Sequence, residues 1–182
     1  IIFFLNLHFS FSQSTPNKIK SFNSFKSGEK LEYKLQYGFL NASYASLTLR
    51  EDVVNNEKVL RATSIGRTTG LARLFFKVDD TYETFFSFEK VQPLKSIRDI
   101  YEGGYERNAE TIYDYNTNTA YFHDKIKNIK KEFEIHPEIQ DIISTFYYLR
   151  KHFDISSLKP NDLIYVDIFF DQEIYPFKMM FL

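Results

Sequence analysis

Asp79, Asp80 and Glu83 place three carboxyls within five residues. Such a grouping suits a divalent cation or paired acid–base work. It equally suits a charged strand edge that discourages edge-to-edge pairing. The flanking pattern sharpens the choice. From Val78 to Phe88 the chain alternates, and one face carries Val78, Asp80, Tyr82, Thr84, Phe86 and Phe88. A later segment behaves the same way, with Tyr105, Arg107, Ala109, Thr111, Tyr113 and Tyr115 on one face. Each face is mostly apolar or aromatic and holds one charge. A charge turned toward a core must be paired or face a wet cavity. Asp80, Tyr82, Arg107 and Tyr105 are therefore the candidate ligand-binding residues, polar anchors in a largely apolar pocket. If both charges point inward, Asp80 and Arg107 are expected to pair or to share one polar group of a ligand. A slip of one residue in register turns both outward, and they become surface charges.

Other chemistries find little support. The chain has no P-loop, no G-x-G-x-x-G, no G-x-S-x-G and no H-E-x-x-H. Of His8, His123, His136 and His152, no two fall at metal-ligand spacing, so no metal or cofactor site is expected. His123-Asp124 reads either as a base with its orienting acid or as a solvated turn pair. Cysteine is absent, which excludes disulfides, thiolate zinc, a cysteine nucleophile and a lipid-modified N-terminal cysteine. No catalytic residue is nominated, and the protein reads as a non-enzyme.

The elements that must hold these residues are mostly strands. The chain has 182 residues, enough for one domain with a sizeable core. Its 23 cations balance 24 anions, against the excess of positive charge that nucleic-acid binding needs. Leu31, Tyr33, Leu35 and Tyr37 alternate with polar residues, the period of a half-buried strand. Asn55-Asn56 and Gly103-Gly104 predict hairpin turns. About ten strands follow in this way, with a short helical turn near Thr68–Lys77. One full helix is predicted over Glu138–Phe153, with Pro137 in its first turn and a stripe of Ile139, Ile142, Ile143, Phe146 and Tyr147. Phe146 is expected to be buried on that stripe.

Ile1–Phe11 is apolar and uncharged, and too short to span a bilayer. It fits the apolar core of a secretory signal whose start is missing, with Ser10-Phe11-Ser12 as the cleavage pattern. The expected organisation is a truncated signal peptide at 1–12, a polar linker at 13–27 and a single β-rich domain at 28–182. The last apolar strand, Tyr175–Leu182, is expected to continue into further strands.

Three segments together resemble a known family. They are Gly28-Glu29-Lys30-Leu31-Glu32-Tyr33-Lys34-Leu35-Gln36-Tyr37-Gly38, Lys77-Val78-Asp79-Asp80-Thr81-Tyr82, and Gln140-Asp141-Ile142-Ile143-Ser144-Thr145-Phe146-Tyr147-Tyr148-Leu149-Arg150. In this order they are similar to the bacterial domain of unknown function 3108. The resemblance implies an exported β-rich protein of the periplasm or cell envelope, and it implies no reaction.

The fold expected is mainly β, a curved antiparallel sheet or open barrel wrapped around one α-helix. The function expected is non-enzymatic binding of a lipid-like or other amphipathic molecule, or of a partner, in the concave sheet face. The alternatives are an envelope hydrolase acting on glycan or lipid and a structural assembly factor pairing through an edge strand.

Overall fold

The computed structural model describes residues 24–37 and 40–182. The expected signal peptide at 1–12, the expected linker as far as Asn23, and residues 38 and 39 lie outside the described residues. Eight strands run antiparallel in sequence order: β1 (Lys30–Tyr37), β2 (Leu40–Val54), β3 (Glu57–Thr68), β4 (Asp79–Phe86), β5 (Pro93–Glu102), β6 (Tyr105–Asp114), β7 (Thr119–Asp124) and β8 (Ile129–Glu134). The turns are the ones the sequence requires. Asn55 and Asn56 have φ of 51° and 65°, and Gly103 and Gly104 of 55° and 96°. Two successive positive φ values match the twist of flanking strands. At Gly103 a Cβ would also lie 2.2 Å from the Phe76 ring, so only glycine fits without moving that ring.

A short helix α1 (Gly70–Phe75) connects β3 to β4, and α2 (Ile142–His152) follows β8. After one 3-10 turn at Ile155–Ser157, β9 (Leu163–Phe170) and β10 (Glu173–Met180) form a separate hairpin. The protein is mainly β, and its large sheet is not closed into a barrel. No helix among the described residues is long and apolar enough to cross a membrane.

One face of the sheet, the inner face, carries α2 and the β9–β10 hairpin. Leu49, Leu60, Ala62 and Phe86 from the sheet enclose Ile143 and Tyr147 of α2. A second cluster joins Tyr113, Ala120, Ile135 and Ile139 to Phe169 of β9. The outer face is solvated and threaded with ion pairs such as Arg61 with Glu83 and Lys95 with Glu110. Ion pairs near the surface contribute about 0–1 kcal/mol each.

Two expectations need correction. The helix starts four residues later than predicted. Gln140 is held extended, its N–H donating to Asp167 O at 3.0 Å while its carbonyl accepts from Phe169 N at 2.8 Å. That contact with β9 takes Ile139 and Gln140 out of the helix, and Asp141 becomes the N-cap. The buried stripe then shifts to Ile143, Ser144 and Tyr147, and Phe146 is 37% exposed on the far side. The edge strand also differs from the half-buried expectation. Tyr33 and Leu35 are exposed, because α2 reaches across β3 and β4 and stops short of β1.

Candidate functional site

The inner face changes character along its strands in steps of two residues. On β4 it passes from Phe86 through Thr84 and Tyr82 to Asp80. On β6 it passes from Tyr113 through Thr111 and Ala109 to Arg107. The pairing of Tyr82 with Arg98 and of Ile100 with Arg107 puts these residues on one surface. The apolar end lies beneath α2. The other end gathers Asp80, Arg98, Arg107 and Asp124, all largely buried.

Asp80 and Arg107 therefore share the inner face, but they do not pair. Ile100 of β5 stands between them in the register. Asp80 instead accepts the Tyr101 N–H at 3.1 Å. Burial, with the Glu102 carboxyl alongside, pushes Asp80 up to about 6, although the Tyr101 N–H pulls the other way. Arg107 faces Asp124 at 4.0 Å and is bonded directly by Asp171. Arg98 reaches the same Asp171 oxygen at 3.1 Å. Burial opposes ionisation of Asp171, yet the two guanidiniums hold its carboxyl below the usual range. Phe170 lies under Arg98 at 4.5 Å and Phe122 under Arg107 at 5.6 Å. Tyr82 is half-buried, and burial together with the Asp80 carboxylate raises its hydroxyl. Tyr105, the fourth residue, is exposed beside the β5–β6 turn.

Asp171 reaches this place because β9 and β10 turn at Asp171-Gln172, with φ of 50° and 73°. The hairpin tip thus delivers a carboxylate between two arginines. The cavity beneath the tip, bounded by Tyr82, Arg98, Thr111, Tyr113 and Phe169, is about 30 Å³. That holds one or two water molecules.

The three carboxyls of β4 are not brought together. Asp79 points to the outer side, where Arg73 binds it through two bonds of 2.9 and 2.6 Å. Glu83 is on the outer face with Arg61. Only Asp80 points inward. His123 and Asp124, as neighbours on β7, face opposite sides of the sheet, so His123 is not oriented by that acid.

A second concavity lies on the opposite side of α2. Phe146 and Leu149 of the helix, Phe153, Ile155 and Leu158 beyond it, and Ile164, Met179 and Met180 of the hairpin bound an apolar groove of about 670 Å³. Arg150 stands at its rim, held by Glu29 at 2.6 and 2.8 Å. None of the four residues singled out from the sequence lines this groove. Nearly all of its walls come from residues 146–181, but from a helix, the turn after it and a hairpin, so no single periodic pattern announces it.

Over residues 32–182 the chain matches the model of the family described as protein of unknown function (DUF3108), and it belongs to that family. No curated protein and no solved structure matches it.

Proposed function

We propose that this is an exported, non-enzymatic binding protein of the cell envelope that takes an apolar or amphipathic ligand in the groove between α2 and the β9–β10 hairpin. The observation that carries the reading is the groove itself. Its volume falls within the roughly 300–1,000 Å³ of small-molecule sites, and its walls are apolar with a few polar groups at the rim. Methionines at one wall suit an irregular aliphatic guest, because the thioether side chain is flexible and polarisable. The inner face of the sheet, filled by α2 and the hairpin, acts as the rigid support. Asp171 between Arg98 and Arg107 pins the hairpin that forms one wall.

The test is titration with a fluorescent acyl-chain probe. Saturable binding with a blue-shifted emission is expected. Met180→Glu and Phe146→Glu each place a charge in the groove at partly exposed positions, so folding should survive. Either should weaken the probe at least tenfold, whereas Ile112→Glu on the outer face should not. Unchanged binding in both groove variants would remove the groove from the account.

Export is supported by the apolar leader and its Ser10-Phe11-Ser12 pattern. The protein recovered from envelope material should then begin at or near Gln13. A mature chain that retains Phe3–Phe11 would contradict it.

A further inference from the structure

The connection from β3 to β4 presents an apolar knuckle to solvent. In α1, Leu71, Leu74 and Phe75 follow the spacing of one helical face, and Phe76 comes next in the chain. Leu74 is 80% and Phe75 88% exposed, and Leu71 and Phe76 are each more than half exposed. Four large apolar side chains within six residues make a contiguous patch, of the kind that marks an interaction site.

The opposite side of the same turn fixes this orientation. Arg73 binds Asp79 through both carboxylate oxygens, at 2.9 and 2.6 Å. It also reaches the carbonyls of Thr68 and Val78 at 3.4 and 3.3 Å. Phe76 N–H donates to Ala72 O at 2.9 Å, and Gly103 N–H donates to Lys77 O at 2.8 Å. The polar side of α1 is thereby bolted to the sheet, and its apolar side is left facing outward.

The rim of the knuckle is cationic. Arg67 and Lys77 lie about half exposed on either side of it, 3.8 and 3.5 Å from the Asp79 carboxylate. Arg67, Arg73 and Lys77 thus surround a single acid. Glu102, on the adjoining turn, is directed to Asp80 on the inner face. Tyr101 lies 4.6 Å under the Lys77 ammonium, and exposed Tyr105 is on the same β5–β6 hairpin. Apolar side chains at the tip, with arginine, lysine and tyrosine behind them, match the layering of a bilayer surface. Aliphatic and phenyl groups enter the acyl region, while cations and tyrosine remain among the phosphates.

We infer that α1 is a membrane-docking knuckle, by which the protein rests on a lipid surface rich in anionic headgroups. The inference does not depend on the groove, which is built from other elements.

The chain contains no tryptophan, so Phe75→Trp supplies a single reporter at the tip. Its emission should shift to the blue and be quenched by brominated acyl chains when phosphatidylglycerol-containing vesicles are added. Phosphatidylcholine vesicles should bind more weakly, and added salt should narrow the difference. In co-sedimentation of the otherwise unaltered protein, Leu74→Asp combined with Phe75→Asp should lower vesicle binding at least tenfold. Both sites are exposed, so an unchanged melting temperature would show that the fold persists. Arg67→Ser with Lys77→Ser should reduce binding to anionic vesicles only. Ile112→Glu, which adds the same kind of charge on the outer face away from both the knuckle and the groove, should leave vesicle binding intact. Three outcomes overturn the inference: no blue shift with any vesicle, equal sedimentation of the wild type and the double aspartate variant, or concentration-dependent dimers that the aspartates abolish without any vesicle binding.

Discussion

Tyr147→Ala should lower stability by about 3–5 kcal/mol, the usual cost of deleting a large buried ring. Tyr147 is completely buried between the sheet and α2. Its ring meets Phe25 at 5.0 Å, Phe86 at 5.3 Å and Phe146 at 5.3 Å. Phe25 precedes β1, Phe86 ends β4, and Phe146 is the preceding residue of α2, so one ring joins three parts of the fold. For a chain of this size the loss corresponds to roughly 6–20 °C in melting temperature. The hydroxyl behaves differently. It is buried and has no hydrogen-bond partner among the described residues, and burial pushes its ionisation upward. Tyr147→Phe removes an unsatisfied polar group and should be neutral or slightly stabilising. Thermal denaturation of the two variants checks this, and a loss in Tyr147→Phe as large as in Tyr147→Ala would contradict it.

The second large effect is expected at Asp141, where the two possible substitutions should act in opposite directions. Its Oδ1 accepts Ser144 N–H at 2.7 Å, and its Oδ2 accepts the Thr84 hydroxyl at 2.9 Å. Its own N–H donates to Ser144 Oγ at 2.8 Å, completing a reciprocal cap. Asp141→Ala removes the cap, a loss of about 0.5–2 kcal/mol. It also leaves the buried Thr84 hydroxyl without its acceptor, at about 1–3 kcal/mol. A combined loss of about 2–5 kcal/mol is expected.

Asp141→Asn keeps an oxygen for the cap and removes the charge. Burial raises the Asp141 carboxyl to about 6 in the folded protein, against the pull of Ser144 and Thr84. Between the ordinary aspartate value near 4 and that value, the native state holds the proton and the unfolded chain does not. Wild-type stability therefore falls as pH rises through this window. Two pH units correspond to about 3 kcal/mol. The advantage of Asp141→Asn over the wild type should accordingly grow from pH 4 to pH 6 and then level off. Denaturant titrations across this range measure it, and a difference independent of pH would contradict the burial of an ionisable group at this cap.

The sequence shows the strands well because their turns are chemically explicit. Asn55-Asn56 and Gly103-Gly104 admit positive φ, and the alternation between them sets which residues share a face. Parity alone put Asp80 and Arg107 on one side of the sheet. Parity does not say what lies between two strands. Ile100 separates the two charges, and the carboxylate that reaches Arg107 comes from Asp171, more than sixty residues along the chain. Arg98 was open to the same reading, since Ser96, Arg98 and Ile100 alternate on β5. The helix start differs from the local expectation for a related reason. Pro137 and Glu138 are good first-turn residues, but the pairing of Gln140 with β9 is a tertiary contact that local preference does not contain. The groove is less legible still. Leu149 lies on α2, Leu158 follows the 3-10 turn and Met180 ends β10, and only packing makes them one surface.

The central claim is that the groove between α2 and the hairpin binds an apolar chain, and the sequence supplies its own reporters. The protein has two methionines, Met179 and Met180, and both line the groove. With ¹³C-methyl methionine the protein should give two methyl resonances. Titration with a single-chain anionic amphiphile below its micellar concentration should move both signals saturably, at one common affinity, and Phe146→Glu should weaken that affinity at least tenfold. Methyl signals that stay in place while the amphiphile binds elsewhere, or that shift linearly without saturation, would contradict the account.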